Sequence, residues 1–141
     1  TIFTENRLKK YIEIRSMDAC GWDCLCAGPA FFIGLLYGNL DEVFDVVKRW
    51  STDDIILAYK DSPKKGLKTI LGKKSILDWS KDLFIISKKG LENRNELNSK
   101  KQNEVKFLDH IKTIIDTKST NAESIMAKYR KDKNFFNFNE K

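Results

Sequence analysis

Glu13 and Arg15 are the pair of residues whose types and spacing best suit chemistry, since they stand two positions apart in an alternating segment. Residues two apart on a β-strand share a face at a separation of roughly 7 Å. A carboxylate can hold Mg²⁺, and a guanidinium group neutralises phosphate oxygens with two hydrogen bonds. The pair therefore suits phosphoryl transfer, which asks a protein mainly for positioning and charge neutralisation. Spacing alone, however, favours an ordinary ion pair that faces solvent.

The segment that positions this pair, residues 7–15, is predicted to be one β-strand with a polar face and an apolar face. The apolar face carries Leu8, Ile12 and Ile14, is interrupted by Lys10, and is expected to pack on helices. Such a strand needs neighbouring strands, and the rest of the chain offers none that is convincing. The polar face consists of Arg7, Lys9, Tyr11, Glu13 and Arg15.

The chain beyond residue 22 is predicted to be helical throughout. Apolar spacing and capping residues predict helices over residues 25–37, 40–50, 52 to about 60, about 75–95 and about 104–117. A last helix should follow the capping box of Thr120 and Glu123. Pro63 is expected to end the third helix, and residues 64–74 to form a connecting loop. Residues 1–133 then belong to one domain, and residues 134–141 form a flexible tail.

Composition limits the partners that this chain can have. The 141 residues carry a net charge of +6, but their lysines are scattered in pairs without interleaved aromatic residues, so nucleic-acid binding is not expected. The longest apolar stretch, residues 25–37, is too short to cross a bilayer, so no membrane contact is expected. Thr1 is not an initiator Met, which suggests that the chain was cut from a longer protein.

Cys20, Cys24 and Cys26 lie within seven residues, and the chain's single histidine, His110, is far from them in sequence. This spacing is not a usual zinc pattern, so small buried residues are favoured over a redox-sensitive pair and over a metal site. His110 is expected to be an ordinary surface residue. An odd number of clustered cysteines without a secretory signal favours a reducing, cytoplasmic location. The tryptophans are expected in the core, although Trp22 follows the polar strand closely.

Many short blocks spread over nearly the whole chain occur in the order and approximate spacing of one enzyme family. The blocks are Thr1-Ile2-Phe3, Glu5, Arg7-Leu8-Lys9, Tyr11, Glu13, Arg15, Asp18, Trp22, Cys26-Ala27, Pro29-Ala30-Phe31, Gly34-Leu35-Leu36-Tyr37, Gly66-Leu67-Lys68, Gly90-Leu91, Arg94, Phe107-Leu108-Asp109 and Ala122-Glu123. Together they resemble the C-terminal part of the proteobacterial and plant type of glutamate–cysteine ligase.

The resemblance implies a fold and a reaction. The fold would be α+β and mainly helical, with one active-site strand followed by five to six helices, as part of a glutamine-synthetase-like ligase with an antiparallel sheet. Glu13 would be a Mg²⁺ ligand and Arg15 would contact the phosphoryl group that ATP transfers to the γ-carboxylate of L-glutamate. The amine of L-cysteine would then attack, which is the first step of glutathione synthesis. Arg7, Lys9, Tyr11, Asp18 and Trp22 are candidates for the substrate or nucleotide pocket.

The same resemblance implies that most of the active site lies in a missing N-terminal part of the polypeptide, so this chain alone should be inactive. It should also fold poorly, because the polar face and the backbone edges of the strand would lack partners. The sequence departs from the family's usual pattern where Ser16-Met17 replaces Gly-Ala and Gly28 replaces Leu. Two alternatives stay open. One is a related ligase with another acceptor amine, and the other is a non-catalytic helical binding module.

Overall fold

The computed structural model describes residues 6–17, 20–22 and 24–133, and within them the chain is mainly helical. Two short antiparallel hairpins accompany the helices, so the α+β prediction is confirmed. The hairpins are β1 (Asn6–Leu8) with β2 (Ile12–Ile14) and β3 (Ile70–Leu71) with β4 (Lys74–Ser75). The α-helices are α1 (Ala27–Leu36), α2 (Leu40–Val47), α3 (Thr52–Lys65), α4 (Ile76–Arg94), α5 (Asp109–Thr117) and α6 (Asn121–Lys131).

The prediction of a single strand over residues 7–15 is wrong, because the chain reverses at residues 9–11. The Lys9 amide donates to the Tyr11 carbonyl over 2.9 Å, and Arg7 then lies opposite Glu13 in the antiparallel register. Each opposed pair in this hairpin joins two even or two odd positions, so the alternation of apolar and polar residues continues across the turn. The pattern therefore could not distinguish one long strand from two short ones.

Residues 64–74 form the end of a helix and a hairpin rather than a plain loop, which corrects a second prediction. Helix α3 continues through Pro63 to Lys65. Proline cannot donate to the Tyr59 carbonyl four residues earlier, and the Ser62 hydroxyl donates to that oxygen instead, over 3.2 Å. Gly72 then takes a φ of 61° in the tight turn between β3 and β4, a conformation that favours glycine.

The Trp79 side chain connects this second hairpin to the helices. Its indole N–H donates to the Leu71 carbonyl over 2.8 Å, and its ring meets Trp50 edge to face with the ring centres 5.2 Å apart. Trp79, Leu71 and Ala58 form a buried cluster, with Trp50 packed against it. The predicted core positions of Trp50 and Trp79 are confirmed.

The C-terminal helices follow the prediction closely. The segment expected as one helix from residue 104 begins with a 3-10 turn, Glu104–Leu108, and continues as α5. The capping box before α6 is confirmed: the Glu123 amide donates to the Thr120 hydroxyl over 3.2 Å, and the Thr120 amide donates to the Glu123 carboxylate over 2.7 Å. The expected tail, residues 134–141, lies outside the described residues. Among the described helices, none is long and apolar enough to span a membrane.

Helices α1 and α4 make the closest contact in the molecule, and glycines make it possible. A Cβ placed on Gly90 of α4 would meet the Gly34 carbonyl oxygen of α1 at 1.9 Å, and a Cβ on Gly34 would meet the Ser87 carbonyl oxygen at 2.3 Å. The Ser87 hydroxyl, fully buried, donates to the Phe31 carbonyl over 2.8 Å. Leu91 and Leu108 are buried beside this contact. The core therefore requires the two helix backbones to touch.

Replacing Gly90 with alanine should destabilise the fold, although alanine favours a helix by about 1 kcal/mol over glycine. The added methyl group would push α4 away from α1, and overpacking of this kind costs about 1–3 kcal/mol. Urea unfolding of the protein should show a lower midpoint for Gly90→Ala. Gly21→Ala is the control, because a Cβ there meets nothing within 4 Å. Equal midpoints for the two variants would contradict the proposed close contact.

Candidate functional site

The first hairpin brings Arg7, Glu13 and Arg15 together on one face. Arg7 donates from Nε to Glu13 Oε2 over 2.7 Å, and its Nη2 lies 2.5 Å from the same oxygen. Arg15 Nε lies 3.9 Å from the other oxygen, Glu13 Oε1. Directly opposed residues and residues two apart share a face, so the hairpin register produces this arrangement. The predicted pairing of Glu13 with Arg15 is thus seen, and Arg7 is a stronger partner of Glu13.

Glu13 is held in its ionised form. The hydrogen bond from Arg7 lowers the pKa of the Glu13 carboxyl below its ordinary value, and the nearby charges of Arg7, Arg15 and Lys9 act in the same direction. A lowered pKa means that the ion pair stabilises the hairpin fully above the ordinary carboxyl pKa. That stabilisation is lost as the pH falls through the lowered value in the folded protein. Near neutral pH the group is a carboxylate between two cations.

Glu13 can supply one ligand to Mg²⁺, and further ligands must come from elsewhere. Mg²⁺ is usually held by one or two carboxylates together with waters and substrate phosphates, so a single ionised carboxylate fits such a site. Within residues 6–17, 20–22 and 24–133 no group of three or more His, Cys, Asp or Glu side chains is placed to hold a metal ion. Arg7 contacts one carboxylate oxygen and Arg15 lies near the other, so a cation at Glu13 would have to share these oxygens with the guanidinium groups.

The remaining candidates for the substrate or nucleotide pocket lie in different surroundings. Lys9 lies in the hairpin turn, close enough to contribute to the lowered pKa of Glu13. Tyr11, in the same turn, lines an apolar groove together with Ile12 and Ile14. The Trp22 side chain is 89% exposed and adds nothing to the core. Asp18 lies outside the described residues, so its predicted role stays a prediction.

Two of the three cysteines form a disulfide, whereas the favoured prediction was that all three are small buried residues. Cys20 and Cys24 are joined in a disulfide with their Cα atoms 6.0 Å apart, and Cys26 is free and exposed. Only Cys24 is buried in the way expected of all three. His110 is half-buried, and its Nε2 lies 3.1 Å from Asn121 Oδ1, so it is not ordinary surface.

Sequence reasoning missed the groove between the first hairpin and helix α1. It has a volume of about 620 Å³, and Lys10 carries the charge on its rim. The available signal was the apolar face of the hairpin segment, which the sequence predicted to pack on helices without indicating which ones. The groove is lined by Lys10, Tyr11, Ile12, Ile14, Met17, Pro29, Phe32, Ile33, Leu36, Tyr37 and Leu40.

Comparison with known proteins shows which protein family the chain belongs to. The sequence model of the family described as glutamate-cysteine ligase family 2 (GCS2) matches residues 1–136. The chain belongs to this family. The resemblance read from the separated blocks is therefore confirmed, and Glu13 and Arg15 are residues of a glutamate–cysteine ligase family member.

Several proteins that this chain resembles are plant glutamate–cysteine ligases. The tomato (Solanum lycopersicum) protein named glutamate–cysteine ligase, chloroplastic, is 35% identical over 131 residues, which cover 92% of this chain and 24% of the relative. The rice (Oryza sativa subsp. indica) protein glutamate–cysteine ligase A, chloroplastic, is also 35% identical, with 25% of its length covered. The Arabidopsis thaliana enzyme is 34% identical. The chain thus spans about a quarter of the length of these relatives.

Substitution of Arg7 tests the electrostatics of the hairpin. Arg7→Gln removes the hydrogen-bonding cation that contributes most to the lowered pKa of Glu13, so that pKa should rise toward its ordinary value. An NMR titration of the protein labelled with ¹³C-glutamate would report it. Lys10→Gln is the control, because Lys10 is not among the groups that lower this pKa. The described pairing fails if Arg7→Gln leaves the Glu13 titration unchanged.

Proposed function

We propose that this chain is part of an ATP-dependent ligase that joins the γ-carboxylate of L-glutamate to the amine of L-cysteine, the first step of glutathione synthesis. The observation that carries the proposal is the Glu13 carboxylate held between Arg7 and Arg15 in a member of glutamate-cysteine ligase family 2. The names of the plant relatives support the same substrates. ATP supplies the phosphoryl group, and L-glutamate accepts it.

The chemistry of the proposed reaction matches the charges on the hairpin. Transfer of the γ-phosphoryl group to the glutamate carboxylate spreads negative charge over the phosphate oxygens. Arg15 and Arg7 supply fixed positive groups at that position, where they stabilise the developing charge without moving far. Bound Mg²⁺ would supply further charge neutralisation, with Glu13 as one of its ligands. The cysteine amine then attacks the acyl phosphate, and inorganic phosphate leaves.

The remaining part of the ligase polypeptide is the partner that this proposal requires. The chain spans about a quarter of its relatives, and its described residues supply one candidate metal ligand of the reaction, Glu13. The other metal ligands and most of the substrate pocket would come from the missing N-terminal part. We therefore assign no catalysis to this chain alone. Nucleic acid is not a partner in this proposal, since the lysines are scattered over the sequence, and a membrane is not, since the longest apolar stretch, residues 25–37, is too short to cross a bilayer.

For the location we propose the cytoplasm, where clustered cysteines are usually kept reduced. The plant relatives are named chloroplastic. The Cys20–Cys24 disulfide of the structure counts against a reducing compartment, so the proposal rests on the spacing of the cysteines alone. Fluorescence microscopy of the tagged full-length protein distinguishes the cytoplasm from an organelle.

A related ligase with a different acceptor amine is the second candidate, and the Met17–Gly28 contact favours it. A Cβ on Gly28 would meet Met17 Sδ at 2.1 Å, so Met17 occupies space that a larger residue at position 28 would need. Both positions differ from the usual family pattern; Met17 follows the first hairpin, and Gly28 lies in the first turn of α1. A reshaped wall there would change which amine fits. Comparing cysteine with other amines in the assay below separates the two candidates.

The activity test is ADP release by the full-length protein with ATP, Mg²⁺ and L-glutamate, with L-cysteine, with other amines and with none. Turnover should require L-cysteine. Glu13→Gln keeps the shape of the side chain and removes its charge, so kcat should fall about 100-fold or more. Glu92→Gln is the matched control, because Glu92 is an exposed glutamate paired with Lys88 on α4. Absence of glutamate-dependent ADP release from the wild-type protein would refute the proposal.

A further inference from the structure

Helix α3 carries an apolar stripe that the core of the protein does not use. The buried face of the helix is marked by Ala58, which packs with Leu71 and Trp79. The stripe lies on another side of the helix, and its members are all exposed: Ile55, Ile56, Tyr59 and Pro63. The exposed fractions of its first three members are 45%, 47% and 66%. Single exposed apolar residues are normal on a protein surface, whereas contiguous apolar surfaces mark interfaces.

Helical geometry makes the stripe contiguous. Each residue advances about 100° around an α-helix, so positions 55, 56, 59 and 63 fall within an arc of about 100°. Leu57 is also exposed, by 59%, but it lies about 150° from the centre of that arc. The stripe therefore runs along one side of α3, and Leu57 stands apart from it on the far side of the same helix.

Charges of opposite sign flank the stripe at the two ends of the helix. Asp53 lies in the first turn of α3 and Lys64 in the last turn. The two positions differ by about 20° around the helix axis, so both lie on the flank next to Ile56. Among the described residues neither side chain forms an ion pair, whereas Lys65, on another side of the helix, pairs with an aspartate. This flank is thus acidic where the helix begins and basic where it ends.

We propose that the apolar stripe of α3 is the contact surface for a second copy of the protein, whose own α3 packs against it in the antiparallel direction. A two-fold axis perpendicular to the two helices keeps the same flank of both copies on one side. An axis that passes between positions 58 and 59 then places Asp53 of each copy opposite Lys64 of the other. The inference does not depend on the proposed ligase activity.

The charge pattern favours a second copy over any other occupant. A flank that is acidic at one end and basic at the other is complementary to itself when reversed, so the surface supplies its own partner. Lys60 lies on the same flank near the proposed axis, where it would approach its own copy and weaken the pair. One helix face is also smaller than the roughly 800 Å² per partner of a stable interface. We therefore expect a weak, reversible association.

Photocrosslinking of the full-length protein tests this contact. The photoreactive residue p-benzoylphenylalanine replaces Tyr59, and a mixture of ¹⁴N- and ¹⁵N-labelled copies is irradiated with a reducing agent present. Mass spectrometry should show crosslinks from position 59 to α3 of the other copy. The matched control is the same residue in place of Leu57, which faces away and should give about tenfold less of this product. Crosslinks within one copy only, crosslinks to another surface of the second copy, or none would overturn the proposal.

Charge reversal tests the antiparallel direction in the same assay. Asp53→Lys and Lys64→Asp each place like charges opposite each other, so the yield between copies should fall about fivefold. The combined variant restores opposite charges and should recover the wild-type yield. Lys100→Asp, a reversal at an exposed lysine away from α3, is the control and should leave the yield unchanged. A combined variant no better than the single ones would refute the pairing. Neither readout needs turnover, so the contact can fail while the proposed function stands.

Discussion

The contact between α1 and α4 is the constraint on which the rest of this structure depends. The backbones touch at Gly34 and Gly90, and side chains larger than hydrogen cannot fit there. This contact fixes the direction of α1, whose Pro29 and Phe32 line the groove beneath the first hairpin. A shift between the two helices would therefore move the floor of the groove. Gly90 remains in the middle of α4 because packing requires it there, even though glycine weakens a helix.

The first hairpin has one polar face and one apolar face, and its antiparallel register places the two kinds of side chain on opposite sides. Arg7 and Glu13 face each other on one side, while Leu8 and Ile12 are paired on the other. One face is polar and carries an ionised carboxylate, and the other is apolar and borders the groove with Ile12 and Ile14. One short hairpin thus joins a charged face to an apolar face, so the packing of Ile12 and Ile14 against α1 also positions Glu13.

Local sequence signals predicted the elements that local interactions stabilise. The helices and the capping box at Thr120 followed from apolar spacing and capping residues, and the Glu13–Arg15 proximity followed from strand geometry. The reversal at residues 9–11 was not predictable from alternation, because the register keeps the same pattern on both sides of the turn. Pro63 does not end α3 as predicted, because the Ser62 hydroxyl donates to the Tyr59 carbonyl that the proline nitrogen cannot reach with a hydrogen bond. The groove depends on contacts between distant segments, which periodicity alone does not contain.

The ion pair between Arg7 and Glu13 is compatible with a metal-binding role for the same carboxylate. Two guanidinium groups lie beside one carboxylate on this face, and phosphate oxygens are partners that guanidinium groups bind with two hydrogen bonds. In the proposed function, Arg7 and Arg15 would hold phosphate oxygens of the nucleotide, and Glu13 would hold the cation that accompanies them. Each charged group keeps an opposite charge beside it throughout, so no buried or unpaired ion is created. In this structure Arg7 holds Glu13 ionised and in place, which is the charge state that a metal-binding role would require.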